Sequence, residues 1–356
     1  MKVFNKSPFL IADISLNLFD FANQENISLM ESAIFLIDEA KSCGVDGVLF
    51  QSYTSENLIS QDSAAFDELY IESQNDYFDS LKKYDKLTVD EYRQLSEYCR
   101  EIGVVFLSTP NDFESVDYLD EFMDIYNISS SDLTNLPFIK HVAGKNKPIL
   151  LSTGGATIVE IKQAVKAIED VSTSDVVIMH SVLSFPTKYE DANLLMIKDL
   201  AEYFPEYEIG YSDHTMPDKN MMVLTTAFNY GATVLEKHFT FDKKMDSLDS
   251  SYAMDGDDVI NFKRNILFLS KINGRRNKQP LICESLTRKE IRKSIVADMN
   301  IKSGEIIDES HITFKRPGIG ISPSDIDDVI GKKANQDIPK DTVIKFDMLE
   351  NLKKKN

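Results

Sequence analysis

Short apolar runs rich in Val, Ile, Leu and Phe alternate along this chain with segments whose apolar residues recur at spacings of three and four. The first pattern is that of β-strands buried on both faces, the second that of amphipathic helices. Strands are predicted over Phe9–Ser15, Gly47–Tyr53, Val104–Pro110 and Asp124–Ser129, then over Pro148–Thr153, Val176–Val182, Glu208–His214 and Ala232–Thr240. Helices fall between them, as at Thr88–Ile102, Thr157–Glu169 and Asn193–Phe204. Asn111, Ser152 and Asp191 stand where N-caps belong, and Gly103 where a helix stops. Eight such units in about 270 residues predict an α/β fold, a closed (β/α)8 TIM barrel. An open doubly wound sheet also alternates, but it usually shows a glycine fingerprint after its first strand. Here that strand runs into ADISLN.

Two stretches break the alternation. The connection from Thr54 to Leu87 is long for a loop between strand and helix, and carries Phe66, Tyr70, Tyr77, Phe78 and Tyr84 among acidic residues. A functional lid and a solvated insertion are both consistent with it. From Asn273 the segment NGRRNKQPLICESLTRKE reads as a linker. Beyond it come SIVA, SGEII, ITFKRPGIGIS and DTVIKFDML, short strands separated by turns. The predicted organisation is a barrel over 1–272, a linker over 273–290 and a small, mostly β module over 291–352.

Composition narrows the function. The 356 residues hold 39 Lys and Arg against 58 Asp and Glu, a formal charge of −19. That argues against nucleic-acid binding, since no basic stripe is present to displace counterions from phosphates. No apolar stretch approaches the roughly 20 residues that span a bilayer, and the first residues lack the apolar run of a signal peptide. Cys43, Cys99 and Cys283 form no paired framework. A cytoplasmic protein that binds neither nucleic acid nor membrane is expected.

In a barrel the pocket is built at the C-terminal ends of the strands. Those ends supply Asp13, Gln51, Ser130, Asp132, Ser152, His180, Ser212, Asp213, His214 and His238. His214 and His238 close adjacent strands and would lie side by side. Two imidazoles facing a polar pocket suit a divalent metal with open positions, although hydrogen-bonding histidines are equally common. His180, preceded by Val-Val-Ile-Met, reads as a satisfied core or rim histidine. Asp13 and Asp132 suit acid–base work or a sugar hydroxyl, and equally the capping of the next helix. The SSSD run at 129–132 is an anion nest or an ordinary capping loop.

The order ADISLN, FQSYTSENLIS, SSSDLTNLPFIK, STGGAT, HSVLSFPTKYEDANL, IGYSDHT and GATVLEKHFT, followed by KRPGIGIS, resembles the sialic acid synthase family. That family comprises N-acetylneuraminate synthases and the related pseudaminic and legionaminic acid synthases. The resemblance covers nearly the whole chain, including a C-terminal antifreeze-like (SAF, β-clip) module. It implies condensation of phosphoenolpyruvate with an open-chain N-acylated aminosugar, giving a nine-carbon 2-keto-3-deoxy acid and phosphate. Carried over by motif, His214 and His238 would hold Mn²⁺ or Mg²⁺. Ser130, Ser152 and Ser212 would bind the phosphate. Asp13, Asp132 and Asp213 would serve the chemistry, with Gln51 and Asp249 near the sugar. Arg316, from the module of a second subunit, would reach the N-acyl group in a domain-swapped homodimer.

Several positions depart from the family pattern. Leu49 stands for the lysine of VKFQ and Asn127 for the lysine of KIGSGE. Asp13 and Asp132 stand for glutamates, Asn17–Asp20 replace the usual NHNG, and Leu183 and Phe185 replace Asn and Tyr. Two lost ammonium groups leave a trianionic donor poorly compensated. Each shortened carboxylate withdraws by about one bond length, where displacements of about 1 Å can cost about 100-fold in rate. Three readings follow: a divergent nonulosonate synthase, a barrel repurposed for another carbon–carbon bond reaction with a less charged donor, or a non-catalytic sugar-binding homologue. Retention of both histidines, SDH and Arg316 speaks against the last. Another lysine supplied to the donor site by Lys237, Lys243 or Lys244 would favour the first, but alternation turns Lys237 away from the inward-facing His238.

Overall fold

The structure, a computed structural model, describes residues 8–58, 87–245, 247 and 249–350. The aromatic residues Phe66, Tyr70, Tyr77, Phe78 and Tyr84 lie outside the described residues. The chain divides into two compact units, Met1–Asn273 and Gly274–Asn356.

The first unit is a closed barrel of eight parallel strands. They are β1 (Phe9–Asp13), β2 (Gly47–Ser52), β3 (Val105–Pro110), β4 (Tyr126–Ile128), β5 (Ile149–Ser152), β6 (Val176–His180), β7 (Glu208–Asp213) and β8 (Val234–His238). Pairing of Asp13 with both Leu49 on β2 and His238 on β8 closes the ring. Alternation sorts each strand into two faces. Phe9, Ile11, Leu49, Leu107, Ile125, Leu150, Val177, Met179 and Val234 form a cluster that fills the barrel. The opposite faces, with Leu10, Ala12, Val48, Phe50, Ile128, Leu151, Ile178, Tyr211 and Leu235, join the core beneath the helices. Continuous apolar runs are what a wall buried on both sides requires.

The helices are bounded by caps. Thr88 and Thr157 form capping boxes with Glu91 and Glu160 at the starts of Val89–Ile102 and Ile158–Glu169. Gly103 closes the first of these at φ 75°, as predicted. The N-caps predicted from the strand–helix junctions fall elsewhere. Asp112, not Asn111, accepts from the Ser115 amide at 2.6 Å. Ser152 is still strand, and Asp191 closes a 3₁₀ turn at Tyr189–Asp191. Loops intervene after β5 and β6, so the first polar residue past a strand is not yet the cap.

Gly210 on β7 fixes the packing beneath the rim. Its cross-strand partners are Met179 and Val234. A Cβ added there would run into Met179 Sδ and lie 2.9 Å from the Val234 carbonyl oxygen. Gly210→Ala should therefore destabilise the barrel by about 1–3 kcal/mol, read as a lowered urea midpoint. An unchanged midpoint would refute this packing.

The second unit has its own core, including Ile295, Ile301, Ile307, Ile321, Ile338 and Ile344. Its antiparallel pair is β9 (Ser294–Ala297) with β10 (Ile312–Lys315). Isolated bridges such as Val296 with Val343 and Ile301 with Ile338 complete a turn-rich β module. The stretch 273–290 is not featureless, because a short helix starts within it at Ser285–Ile291. No helix among the described residues is long and apolar enough to cross a membrane.

Candidate active site

The C-terminal rim of the barrel brings together the two histidines that the strand ends predicted. The His214 and His238 rings have centroids 5.8 Å apart. Phe185 packs on His214 at 4.4 Å and Tyr252 on His238 at 5.0 Å, so the pair stands between aromatic faces. His214 Nδ1 lies 2.9 Å from the Val182 carbonyl oxygen. That contact requires a proton on Nδ1 and leaves the Nε2 lone pair available.

Carboxylates surround His238. Its Nδ1 is 3.1 Å from Asp249 Oδ2, and its Nε2 is 3.7 Å from Asp13 Oδ2. The Asp249 contact is an ion pair off the hydrogen-bond axis, and His238 Nδ1 has no aligned partner. Asp249 is held by the Tyr252 hydroxyl and Asp13 by the Ser15 hydroxyl. Burial works against a charged imidazole, but Asp249, Asp13 and Glu236 outweigh it and raise His238 to about 9. Burial, and then the neighbouring His238, push His214 down to about 4. Without metal, His238 is thus held as imidazolium and His214 as neutral imidazole.

The residue reading missed Glu236. Alternation along β8 turns it to the same side as His238, and it is 6% exposed. The Ser212 hydroxyl donates to Glu236 Oε1 at 2.8 Å, while Oε2 has no partner. Burial, with the nearby Asp13, raises its carboxyl to about 7. Asn17 was also passed over. Its amide donates to the Phe239 carbonyl at 3.1 Å and its oxygen accepts from Ser247 and Ser250, pinning the loop that carries Asp249.

The other predicted residues divide. Ser152 and Ser212 share the inward face. Ser130 Oγ accepts from the Gly154 amide at 2.9 Å and so ties the loop after β4 to the STGGAT loop. Asn127 donates to Thr109 Oγ1 at 3.0 Å, and its own side-chain oxygen is buried without a partner. Gln51 is exposed on the inward face of β2, and its main-chain oxygen accepts from Tyr92. Asp132 takes a hydrogen bond from Asn135 at 3.0 Å, and burial raises its carboxyl. No described contact joins it to the histidines. Arg316 is exposed and belongs to the second unit.

Asp213 requires a correction. It was read as a catalytic carboxylate, but alternation turns it outward with Tyr211, away from Ser212. There it is buried and pairs with Lys237 Nζ at 2.9 Å. Both its oxygens are engaged, so it cannot meet a substrate in the pocket. Lys237 is correspondingly withdrawn from the pocket, as its alternation with His238 predicted. Lys243 is committed to Asp255 and Asp258 at 2.8 and 2.7 Å. His180 is the satisfied histidine expected, with Nε2 2.9 Å from the Ala192 carbonyl and its ring stacked on Tyr211.

Residues 36–278 match the NeuB family model, and residues 292–350 match the SAF domain model. The chain belongs to the NeuB family. It is 38% identical over 315 residues to an uncharacterised protein of Methanocaldococcus jannaschii, covering 88% of each chain. It is 33% identical to the N,N'-diacetyllegionaminic acid synthase of Campylobacter jejuni, covering 87% of this chain and 93% of that one. The solved N-acetylneuraminic acid synthetase of Leptospira borgpetersenii superposes with a TM-score of 0.68 at 26% identity, over 80% of this chain and 90% of that one. The NeuB barrel and SAF module therefore stand as read from the motifs, and relatives of the chain are nonulosonic acid synthases.

The donor set also bears on a metal. Among the described residues no group of three or more His, Cys, Asp and Glu is arranged as a metal site. Two imidazoles, one with a free lone pair and one with an unaligned nitrogen, fit an ion that draws its remaining ligands from water and substrate oxygens.

Proposed function

We propose that this NeuB-family chain condenses phosphoenolpyruvate with an N-acylated aminosugar aldehyde, forming a 2-keto-3-deoxy nine-carbon acid. The observation that carries the reading is the pairing of His214 with His238 at the rim, beside Asp13, Glu236 and Asp249. C3 of the donor forms a bond to the aldehyde carbon, water adds at C2, and phosphate leaves. His214 and His238 would hold Mn²⁺ or Mg²⁺, which as a Lewis acid polarises a substrate carbonyl. To serve as a ligand, His238 would have to give up the proton that the carboxylates keep on it. Ser130 and Ser152 offer hydroxyls to the phosphate, and Ser212 orients Glu236. Asp13 and Glu236 line the floor where a proton can be held or passed, and Gln51 and Asp249 face the sugar. Asp132 has a more distant part, shaping the loop that carries Ser130.

A less charged donor is the competing reading, favoured by Leu49 at the position of a family lysine. It is 1% exposed within the barrel-filling cluster, and Lys237 and Lys243 are engaged elsewhere. Phosphate release from phosphoenolpyruvate with N-acetylmannosamine, with and without Mn²⁺, separates the two. Release that needs metal and both substrates supports the synthase. Metal-dependent turnover of a ketoacid donor alone would support the other.

The second unit supplies Arg316 to the pocket of a partner chain in a homodimer. The full chain is then expected to sediment as a dimer at micromolar concentration, and Arg316→Ala to raise KM for the sugar more than for the donor. A monomer with full activity would contradict this assembly.

A further inference from the structure

Resting on the two-histidine reading above, we infer that the buried Asp213–Lys237 pair is the positioning element that sets His214 and His238 against each other. The pair lies outside the pocket, with side-chain exposures of 2% and 0%. Asp213 and Lys237 are register partners on β7 and β8, the last pairing before both histidines. Lys237 Nζ donates to Asp213 Oδ2 at 2.9 Å and to the Thr215 carbonyl at 2.5 Å. It therefore grips the residue on either side of His214, while His238 follows it directly in the chain. Asp213 Oδ1 accepts from the Tyr211 hydroxyl at 3.0 Å and the Thr215 amide at 2.9 Å, which closes the turn around His214. A buried ion pair is poor evidence for stability, and fixing of register is its best-attested use. Here the register it fixes is that of two imidazoles on neighbouring strands. Neither residue touches a substrate, so both are positioning residues.

The test compares the full chain with D213N/K237M, which removes both charges together, and with Y211F, which removes a single hydrogen bond to Asp213. Mn²⁺ affinity is measured by calorimetry and electron paramagnetic resonance. The ring signals of ¹⁵N-labelled histidine are followed by NMR in the metal-free protein, and folding by circular dichroism. The double variant should remain folded, weaken Mn²⁺ binding by about tenfold or more, and shift or broaden the signals of both rings. Y211F should do the same to a smaller degree. Folded variants with Mn²⁺ affinity within about twofold of the parent and unaltered ring signals would overturn the inference. Should the double variant fail to fold, unaltered affinity and ring signals in Y211F overturn it alone. Absence of Mn²⁺ binding by the parent chain would overturn the metal reading instead. The ring signals of the metal-free variants would then decide the positioning claim, unaltered signals overturning it.

Discussion

Replacement of His214 or His238 by alanine is expected to abolish metal-dependent phosphate release, a loss of about 1000-fold or more, while the chain stays folded. The magnitude follows from charge stabilisation worth several kcal/mol that the pair supplies through the ion it holds. The fold should survive because the apolar cluster that fills the barrel does not include either ring. Removal of His238 carries a second consequence. Asp13 and Asp249 face it from two sides at 3.7 and 3.1 Å, and without an imidazolium or a metal between them their charges are uncompensated. His238→Ala should weaken Mn²⁺ binding by loss of a nitrogen ligand, with the two freed carboxylates offsetting part of that loss, which calorimetry would show. Residual turnover within about tenfold of the parent in either variant would contradict the assignment.

The donor site gives the other large effect. With Leu49 and Asn127 in place of lysines, phosphoenolpyruvate is expected to bind weakly and turn over slowly. Each charge-assisted contact is worth about 1.5–3 kcal/mol, so two together alter affinity by a hundredfold or more on the order of those values. Leu49→Lys combined with Asn127→Lys should lower KM for phosphoenolpyruvate. Stability should fall at the same time, since Leu49 lies in the cluster filling the barrel and an ammonium there displaces apolar packing. Asn127 accepts the change more easily, because its side-chain oxygen already lacks a partner. Steady-state kinetics with both variants and a urea titration check the two halves separately. Efficient turnover by the parent at micromolar phosphoenolpyruvate would show that hydroxyls and amides alone hold the phosphate.

The strands were legible because each is a run of Val, Ile, Leu or Phe flanked by polar residues, and a doubly buried wall tolerates little else. The histidine pair was legible for a related reason: two adjacent strands in a closed barrel must end beside each other. Direction was harder to read. Asp213 was grouped with the pocket because it ends a strand, although the period of two that turned Lys237 away from His238 also turns Asp213 away from Ser212. The same alternation, carried one step further back, would have placed Glu236 beneath His238. The N-caps at Asp112 and Thr157 were displaced because loop lengths between strand and helix leave little periodic signal. Asn17 was invisible for a different reason. Its partners Phe239, Ser247 and Ser250 come from the far end of the barrel sequence, and only closure of the ring brings them together.

The most direct measurement is the identity of the product. The full chain is incubated with phosphoenolpyruvate, Mn²⁺ and N-acylated aminosugars, N-acetylmannosamine and a diacetylated diamino sugar among them, and analysed by mass spectrometry alongside phosphate release. The account predicts a 2-keto-3-deoxy nine-carbon acid formed in equal amount with phosphate, and lost on chelation of the metal. A chain that binds Mn²⁺ and sugar yet yields no such acid at saturating phosphoenolpyruvate would contradict it.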